Sequence, residues 1–209
     1  MIFIINAENR ALFEHDLLQM HRQRRSVFVE GLGWSIPVVD GLEIDCYDRE
    51  DTTYLVAKEE LDGPVLASVR LLPTTGPHLM IDLFAEACLG PTPRGPSVWE
   101  VSRYCSTPAV LNRGRRLRLL WEIVCGVMET ALLFGLDQVI FAANRALLPL
   151  MLNCGWHAVT LGPTLPDRDD RVTAVRAAIT PEGLRTVRRR FDITGPVTRF
   201  LTPATRIAA

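Results

Sequence analysis

Residues 41–51 read GLEIDCYDRED and carry five carboxylates: Glu43, Asp45, Asp48, Glu50 and Asp51. Three chemistries fit such a run: a solvated acidic loop, a metal site, or the acidic half of a binding pocket. A calcium loop takes ligands from alternate positions around a turn glycine, and the Asp45, Asp48, Glu50 spacing follows neither rule. A zinc-type site needs thiol or imidazole partners at ligand spacing. The five cysteines (Cys46, Cys88, Cys105, Cys125, Cys154) include no C-x-x-C pair, and His15, His21, His78 and His157 are equally scattered. A metal is therefore not expected, and the acids are either solvated or meet a cation.

Cations in apolar company are present. Arg70 sits inside VLASVRLLP, and in SVWEVSRYC a period of two puts Arg103 on the face of Trp99, Val101 and Cys105. An unpaired buried guanidinium costs several kcal/mol or more, roughly, so each needs a carboxylate or a bound anion. The acidic run is the obvious supplier. The opposite face of the second strand carries Glu100 and Ser102, offering a base and a hydroxyl beside the Arg103 clamp. The plainer alternative is that Glu100 and Arg103 form an ion pair at a sheet edge. Arg113, Arg115, Arg116 and Arg118 surround the start of a long helix, where cations oppose the helix dipole; they serve either an anionic ligand such as a phosphate or a solvated surface patch.

These residues need elements to hold them. Residues 2–5 read as a buried strand, 8–29 as a helix, and 31–51, with three glycines and a proline, as a long connection. TTYLVAKEE and PVLASVRLLP around Asp62-Gly63 predict a hairpin. A short helix is expected over 80–88, a loop over 89–96, a strand over 97–105 and a helix over about 114–135. A strand follows at 137–144, then a helix at 145–156 that Pro149 breaks or delays, then strands at 157–162 and 171–180. A last helix opens at Thr180-Pro181-Glu182, with threonine as cap and proline in the first turn. This alternation predicts one α/β domain, an α-β-α sandwich with a mixed sheet covered by helices.

Composition agrees. The chain has 209 residues, 48% of them hydrophobic, and a net charge of −1, so it has no overall attraction for nucleic acid or an anionic membrane. Nothing in MIFIINAENRALF resembles a signal peptide and no run is long enough to span a bilayer, so the cytoplasm is the expected location. Scattered, odd-numbered cysteines fit reduced thiols.

In order along the chain stand Arg24, Phe28, Trp34, Glu43-Ile44-Asp45-Cys46-Tyr47-Asp48, Arg70-Leu71-Leu72-Pro73, Phe84 and Glu100-Val101-Ser102-Arg103. The ordered set resembles the signature of the acyl-homoserine-lactone synthases, the bacterial autoinducer synthases that make quorum-sensing signals. Beyond residue 104 the similarity rests on secondary-structure rhythm and on NCGW at 153–156.

The resemblance implies a sheet-and-helix fold related to the GCN5-type N-acetyltransferase fold, with residues 1–106 as the S-adenosylmethionine half and 107–209 as the acyl-donor half of one domain. It implies N-acylation of S-adenosylmethionine by an acyl thioester, then lactone closure with loss of 5′-methylthioadenosine; both are substrates, and no permanently bound cofactor is implied. Glu100, Ser102 and Arg103 become the catalytic set. Arg24, Phe28, Trp34, Glu43, Asp45, Asp48, Arg70 and Arg103 become the S-adenosylmethionine site, with Asp45 and Asp48 near the sulfonium and ammonium, and Arg24 and Arg103 orienting the carboxylate. Phe84 and Ala142 bound the acyl chain, Ala142 and Ala143 favouring an unsubstituted chain over a 3-oxo one. Arg113, Arg115 and Arg116 face the phosphopantetheine arm. The acetyltransferase pyrophosphate motif is not clean in VLNRGRRLR, so the donor is either acyl-CoA or acyl carrier protein. Two alternatives stay open: a general N-acyltransferase using another amine, and an inactive thioester-binding protein.

Overall fold

In the computed structural model, which describes residues 1–167 and 170–202, the elements are β1 (Ile2–Ile5), α1 (Glu14–Arg24), β2 (Val38–Val39), β3 (Leu42–Glu43), β4 (Thr53–Ala57), β5 (Ala67–Pro73) and α2 (Leu79–Leu83). They continue with β6 (Val98–Ser106), α3 (Arg113–Leu133), β7 (Gln138–Ala143), α4 (Leu148–Asn153), β8 (Ala158–Thr160), β9 (Leu165–Asp167), β10 (Asp170–Ala178), α5 (Pro181–Arg190) and β11 (Thr198–Arg199). The fold is α/β with a mixed sheet, as expected from the alternation. Its residues group into two compact units. The first comprises Met1–Arg70, Arg103–Gly126 and the segment from Val197; the second comprises Leu71–Ser102 and Val127–Pro196.

In the first unit the strand order is β11-β1-β4-β5. β1 pairs antiparallel with β4, Ile2 opposite Ala57, and parallel with β11. Phe3, Phe13, Met20, Tyr54, Val56 and Val65 form its core. The helix expected over 8–29 arrives in three pieces. The Asn9 side chain accepts from Asn6 N at 2.9 Å and donates to Ile4 O at 2.9 Å, closing a turn that delays α1. Beyond Arg24 the helix widens into a π turn over Arg25–Gly31, where Leu32 N donates to Val27 O.

The connection over 31–51 hides a two-residue hairpin. Asp40 and Gly41 both hold positive φ, 51° and 79°, which suits the right-handed twist of the flanking β2 and β3. That Asp-Gly pair is a hairpin signal equal to the one at Asp62-Gly63, and it sets Glu43 at the end of a strand instead of in free loop.

In the second unit the order is β6-β7-β10-β8, with β9 also on β10. β6 pairs parallel with β7 over Val98–Glu100, and β7 antiparallel with β10, Ala142 opposite Ala174. Met80, Ala87, Val98, Ile140 and Ala174 form a core against which Phe84 and Ala142 pack. Pro149 delays α4 to Leu148, and Asn144 Oδ1 accepts from Ala146 N and Leu147 N before it. Thr180 Oγ1 caps α5, accepting from Gly183 N at 3.0 Å. Among the described residues no helix is long and apolar enough to cross a membrane.

Candidate functional site

Three arginines and three carboxylates of the first unit close a ring of alternating charge. Arg24 binds Glu43 through Nε, and both oxygens of Asp48 through Nη1 and Nη2 at 2.8 and 2.9 Å. Arg70 joins Asp48 to Asp45, with Nη1 at 2.9 and 2.6 Å and Nη2 at 3.1 Å from Asp45 Oδ2. Arg103 completes the circuit, donating from Nε to Glu43 Oε1 at 3.1 Å and from Nη2 to Asp45 Oδ2 at 2.7 Å. Every charge touches two of opposite sign, and the ring is neutral.

Local structure explains why these six meet. Arg24 is the last residue of α1 and lies on the stripe of Met20, which is buried in the core. Glu43 ends β3. Asp45 to Asp48 is a tight turn: Asp48 N donates to Asp45 O, Asp45 N to Asp48 Oδ2 at 2.9 Å, and Tyr47 N to Asp45 Oδ1 at 2.9 Å. Arg70 comes from β5. Arg103 comes from β6 with φ of 55°, left-handed backbone that is uncommon for a side chain of this size. The strict alternation expected around Arg103 is therefore interrupted at that residue. Cys105 is buried, its Sγ 3.6 Å from Ser68 Oγ.

Burial makes the ring's balance consequential. The Arg24 and Arg70 side chains are 1% exposed and Glu43 is wholly buried. Burial alone would raise the Asp48 carboxyl, but Arg24's hydrogen bonds and charge, followed by Arg70, hold it well below the usual carboxylate range. Burial would likewise lower the Arg24 and Arg70 guanidiniums, and their carboxylate partners outweigh it. Arg103 differs, for there burial prevails over Glu43 and Asp45 and the guanidinium is lowered. Arg103 is also the more open of the three, with its side chain 9% exposed and no bond from Nη1 within the described residues.

Asp45 and Asp48, expected near a substrate cation and balanced by Arg24 and Arg103, are held by arginines throughout. Asp45 accepts bonds from Arg70, Arg103 and Tyr47 N, and Asp48 from Arg24, Arg70, Tyr54 Oη at 2.8 Å and Asp45 N. A carboxylate has about four lone-pair sites, and these are taken. Arg24, expected to orient a carboxylate, has Nε, Nη1 and Nη2 all engaged, whereas among the described residues Nη1 of Arg103 makes no bond. Glu50 is exposed and Asp51 pairs with Arg49 at the surface, as solvated members of the acidic run.

Aromatic groups line the Arg103 side. Phe28 and Trp34 stack with centroids 4.9 Å apart and 15° between planes, and the Arg103 guanidinium lies 5.7 and 6.0 Å from their centroids. The π turn delivers this pair, since Trp34 N donates to Phe28 O at 2.9 Å. Sequence reading missed the ring's supports: His21 Nδ1 against Glu43 O at 2.8 Å, the Tyr54 hydroxyl on Asp48, and the Tyr47 ring under Arg70. His21 lies one helical turn before Arg24, a usable signal; Tyr47 and Tyr54 gave none.

The second unit holds the other candidates. Glu100 is 1% exposed, and both of its oxygens accept from Met80 N at 3.1 and 3.2 Å. Ser102 follows on the same strand, half-buried. Phe84 and Ala142 are brought together on the Met80–Ile140 cluster. In the first unit, Arg113, Arg115 and Arg116 are exposed at the start of α3, where Asn112 Oδ1 accepts from Arg115 N at 3.0 Å and Arg115 pairs with Glu59.

The autoinducer synthase family profile matches residues 8–187. The chain belongs to the autoinducer synthase family. A curated acyl-homoserine-lactone synthase of Ralstonia nicotianae is 36% identical over 146 residues, 67% of this chain and 71% of that protein. Among solved structures, a CoA-dependent acyl-homoserine lactone synthase with SAM and isopentyl-CoA superposes with a TM-score of 0.88 at 30% identity, over 97% of this chain and 94% of that one. An acyl-CoA N-acyltransferase from Pseudomonas aeruginosa reaches a TM-score of 0.57 at 21% identity, over 85% and 99%, a likeness of fold alone. The autoinducer synthases are acyltransferases, and the N-acyltransferase likeness of the fold expected from the sequence is thereby met.

Proposed function

We propose that this synthase joins S-adenosylmethionine to an acyl thioester, with the neutral ring acting as a rigid frame that presents Arg103. The observation that carries the reading is the reserve of donors on Arg103 Nη1 beside the stacked Phe28 and Trp34. A substrate carboxylate bound there accepts from Nη1 and offsets the burial that lowers the Arg103 guanidinium. Asp45, Asp48, Glu43, Arg24 and Arg70 act through Arg103 by fixing its position, and the ring faces of Phe28 and Trp34 suit the sulfonium and the adenine. Glu100 is the base that takes a proton from the α-ammonium, directly or through water, with Ser102 as a hydroxyl partner. The freed amine attacks the thioester carbonyl, the C–S bond breaks, and the thiol leaves with a proton. The carboxylate then displaces the sulfonium at the γ-carbon, closing the lactone and releasing 5′-methylthioadenosine.

Phe84 and Ala142 bound the acyl chain, and the small Ala142 suits an unsubstituted one. The thioester is an acyl-CoA by similarity to the SAM- and isopentyl-CoA-bound relative, with acyl carrier protein as the second source. Residues 1–209 act as one synthase domain working in the cytoplasm. The test is Glu100→Gln assayed for methylthioadenosine release against a panel of CoA and carrier-protein thioesters. Turnover is expected to fall about 100-fold or more, the scale of general base catalysis. Wild-type rates in the variant would sink the assignment of the base, and no release by the native enzyme with any donor would favour another amine acceptor.

A further inference from the structure

The acidic run that supplies the charge ring is gripped from its far end by a residue outside the ordered signature. Arg10 opens the helical turn Arg10–Phe13 ahead of α1. Its Nη2 donates to Arg49 O at 3.0 Å and to Thr52 O at 3.1 Å. Those two carbonyls bracket the stretch that follows Asp48. Within it, Arg49 N donates to Thr52 Oγ1 at 2.9 Å, and that hydroxyl donates to Tyr47 O at 2.8 Å. One nitrogen thus ties the end of the acidic run to the N-terminal turn, which Asn9 anchors on Ile4 O and Leu201 O.

The same guanidinium reaches the charge ring by a second route. It lies over the Tyr54 phenol, 5.6 Å from the centroid, and the Tyr54 hydroxyl donates to Asp48 Oδ1 at 2.8 Å. Asp48 Oδ1 is also the oxygen that Arg24 and Arg70 share. A shift of the phenol or of the 49–52 backbone is therefore felt where two of the three arginines converge. Arg70 passes it to Asp45, and Asp45 to Arg103.

For stability alone Arg10 is a poor choice. It is half-buried, and its Nε is buried with no hydrogen-bond partner among the described residues. An unmade buried bond is a cost that an apolar side chain of similar length avoids. What a cation supplies there, and an apolar stem does not, is a grip on two carbonyls and on the face of Tyr54 at once.

We infer that Arg10 is a positioning residue for the S-adenosylmethionine site: by fixing the Arg49 and Thr52 carbonyls and the Tyr54 phenol it sets Asp48 and, through the charge ring, the direction of the Arg103 guanidinium. This rests on the reading that the substrate carboxylate binds Arg103.

The experiment is calorimetric titration of the full chain with S-adenosylmethionine and, in parallel, with 5′-methylthioadenosine, for the native protein, Arg10→Met, Arg10→Lys, Tyr54→Phe and Arg10→Met/Tyr54→Phe. Methylthioadenosine shares the adenosine and the sulfur but lacks the amine and the carboxylate, so it reads the pocket without Arg103. Arg10→Met is expected to weaken S-adenosylmethionine about 3- to 10-fold, the scale of one hydrogen bond, while methylthioadenosine stays within about 2-fold. Arg10→Lys keeps a cation over the phenol and donors for the carbonyls, and is expected to recover most of the loss. The double variant is expected to lose less than the product of the single losses, because both changes act on Asp48. Equal weakening of both ligands marks a merely structural residue and overturns the inference, as does unchanged S-adenosylmethionine affinity in Arg10→Met. Strictly multiplicative losses overturn the route through Tyr54. Should Arg10→Met fail to fold, Arg10→Gln, which keeps one neutral donor for the carbonyls, carries the same comparison. Failure of the native chain to bind S-adenosylmethionine overturns the functional reading and the inference with it, whereas the other outcomes leave that reading standing.

Discussion

Asp48→Asn isolates the charge balance of the ring while changing almost no volume. Asp48 accepts five hydrogen bonds: two from Arg24 and one each from Arg70, the Tyr54 hydroxyl and Asp45 N. The amide retains one acceptor oxygen and turns its NH₂ toward a guanidinium, so the bidentate grip on Arg24 is lost and the ring gains a net positive charge. Arg24 and Arg70 are each 1% exposed and cannot turn to water. Breaking a buried ion pair from one side costs about 3–5 kcal/mol, a large share of the roughly 5–15 kcal/mol that holds a domain folded. The urea midpoint followed by tryptophan fluorescence is therefore expected to fall by about 1–5 M, taking a slope of about 1–3 kcal/mol/M. Asp48→Asn/Arg70→Met restores neutrality, and its loss is expected to be smaller than the sum of the single losses by about 0.5–3 kcal/mol. A single-variant loss below about 1 kcal/mol, or strict additivity in the double variant, would refute the balance argument.

Stability should also respond to acid through the same residue. The folded Asp48 carboxyl is held below its unfolded value, so the unfolded chain binds the extra proton first and stability falls as pH drops below the ordinary carboxylate range near about 4. Urea midpoints measured from pH 6 to 3 should fall less steeply in Asp48→Asn than in the native chain; parallel slopes would deny Asp48 the role. Thiol reactivity gives an independent check on the burial of the two units. Burial pushes the Cys105 and Cys154 thiols up to about 11, whereas Cys46 is exposed. At pH 8 only about one in 1000 of a thiol with that value is thiolate, so brief alkylation and peptide mass spectrometry should find Cys46 labelled well ahead of Cys105 and Cys154.

Much of the site was legible because its parts violate local rules. Arg70 inside an apolar strand demanded an anion, and the acids of 43–48 were the supply within reach; the pairing found is the one that burial required. The long helix, its strand neighbours and the Thr180 cap followed from periodicity and capping, which depend on residues close in sequence. The Asp40-Gly41 hairpin was equally local and overlooked beside the stronger strands around Asp62-Gly63. Other features had no local signature. The late start of α1 depends on the Asn9 side chain reaching back to Ile4 and onward to Leu201, and the Arg103 side chain, at its positive φ, meets partners about 60 residues earlier in the chain.

The sequence by itself determined the family, the α/β alternation and the identity of the charged residues, because residue types and short spacings are properties of the chain. Only the tertiary structure decided what each charge is free to do. It spent the acceptors of Asp45 and Asp48 on Arg24, Arg70 and Arg103, left Nη1 of Arg103 in reserve, and brought Arg10 onto the carbonyls of Arg49 and Thr52. Hydrogen-bond capacity is finite and directional, so whether a group is spent or available depends on the three-dimensional company it keeps.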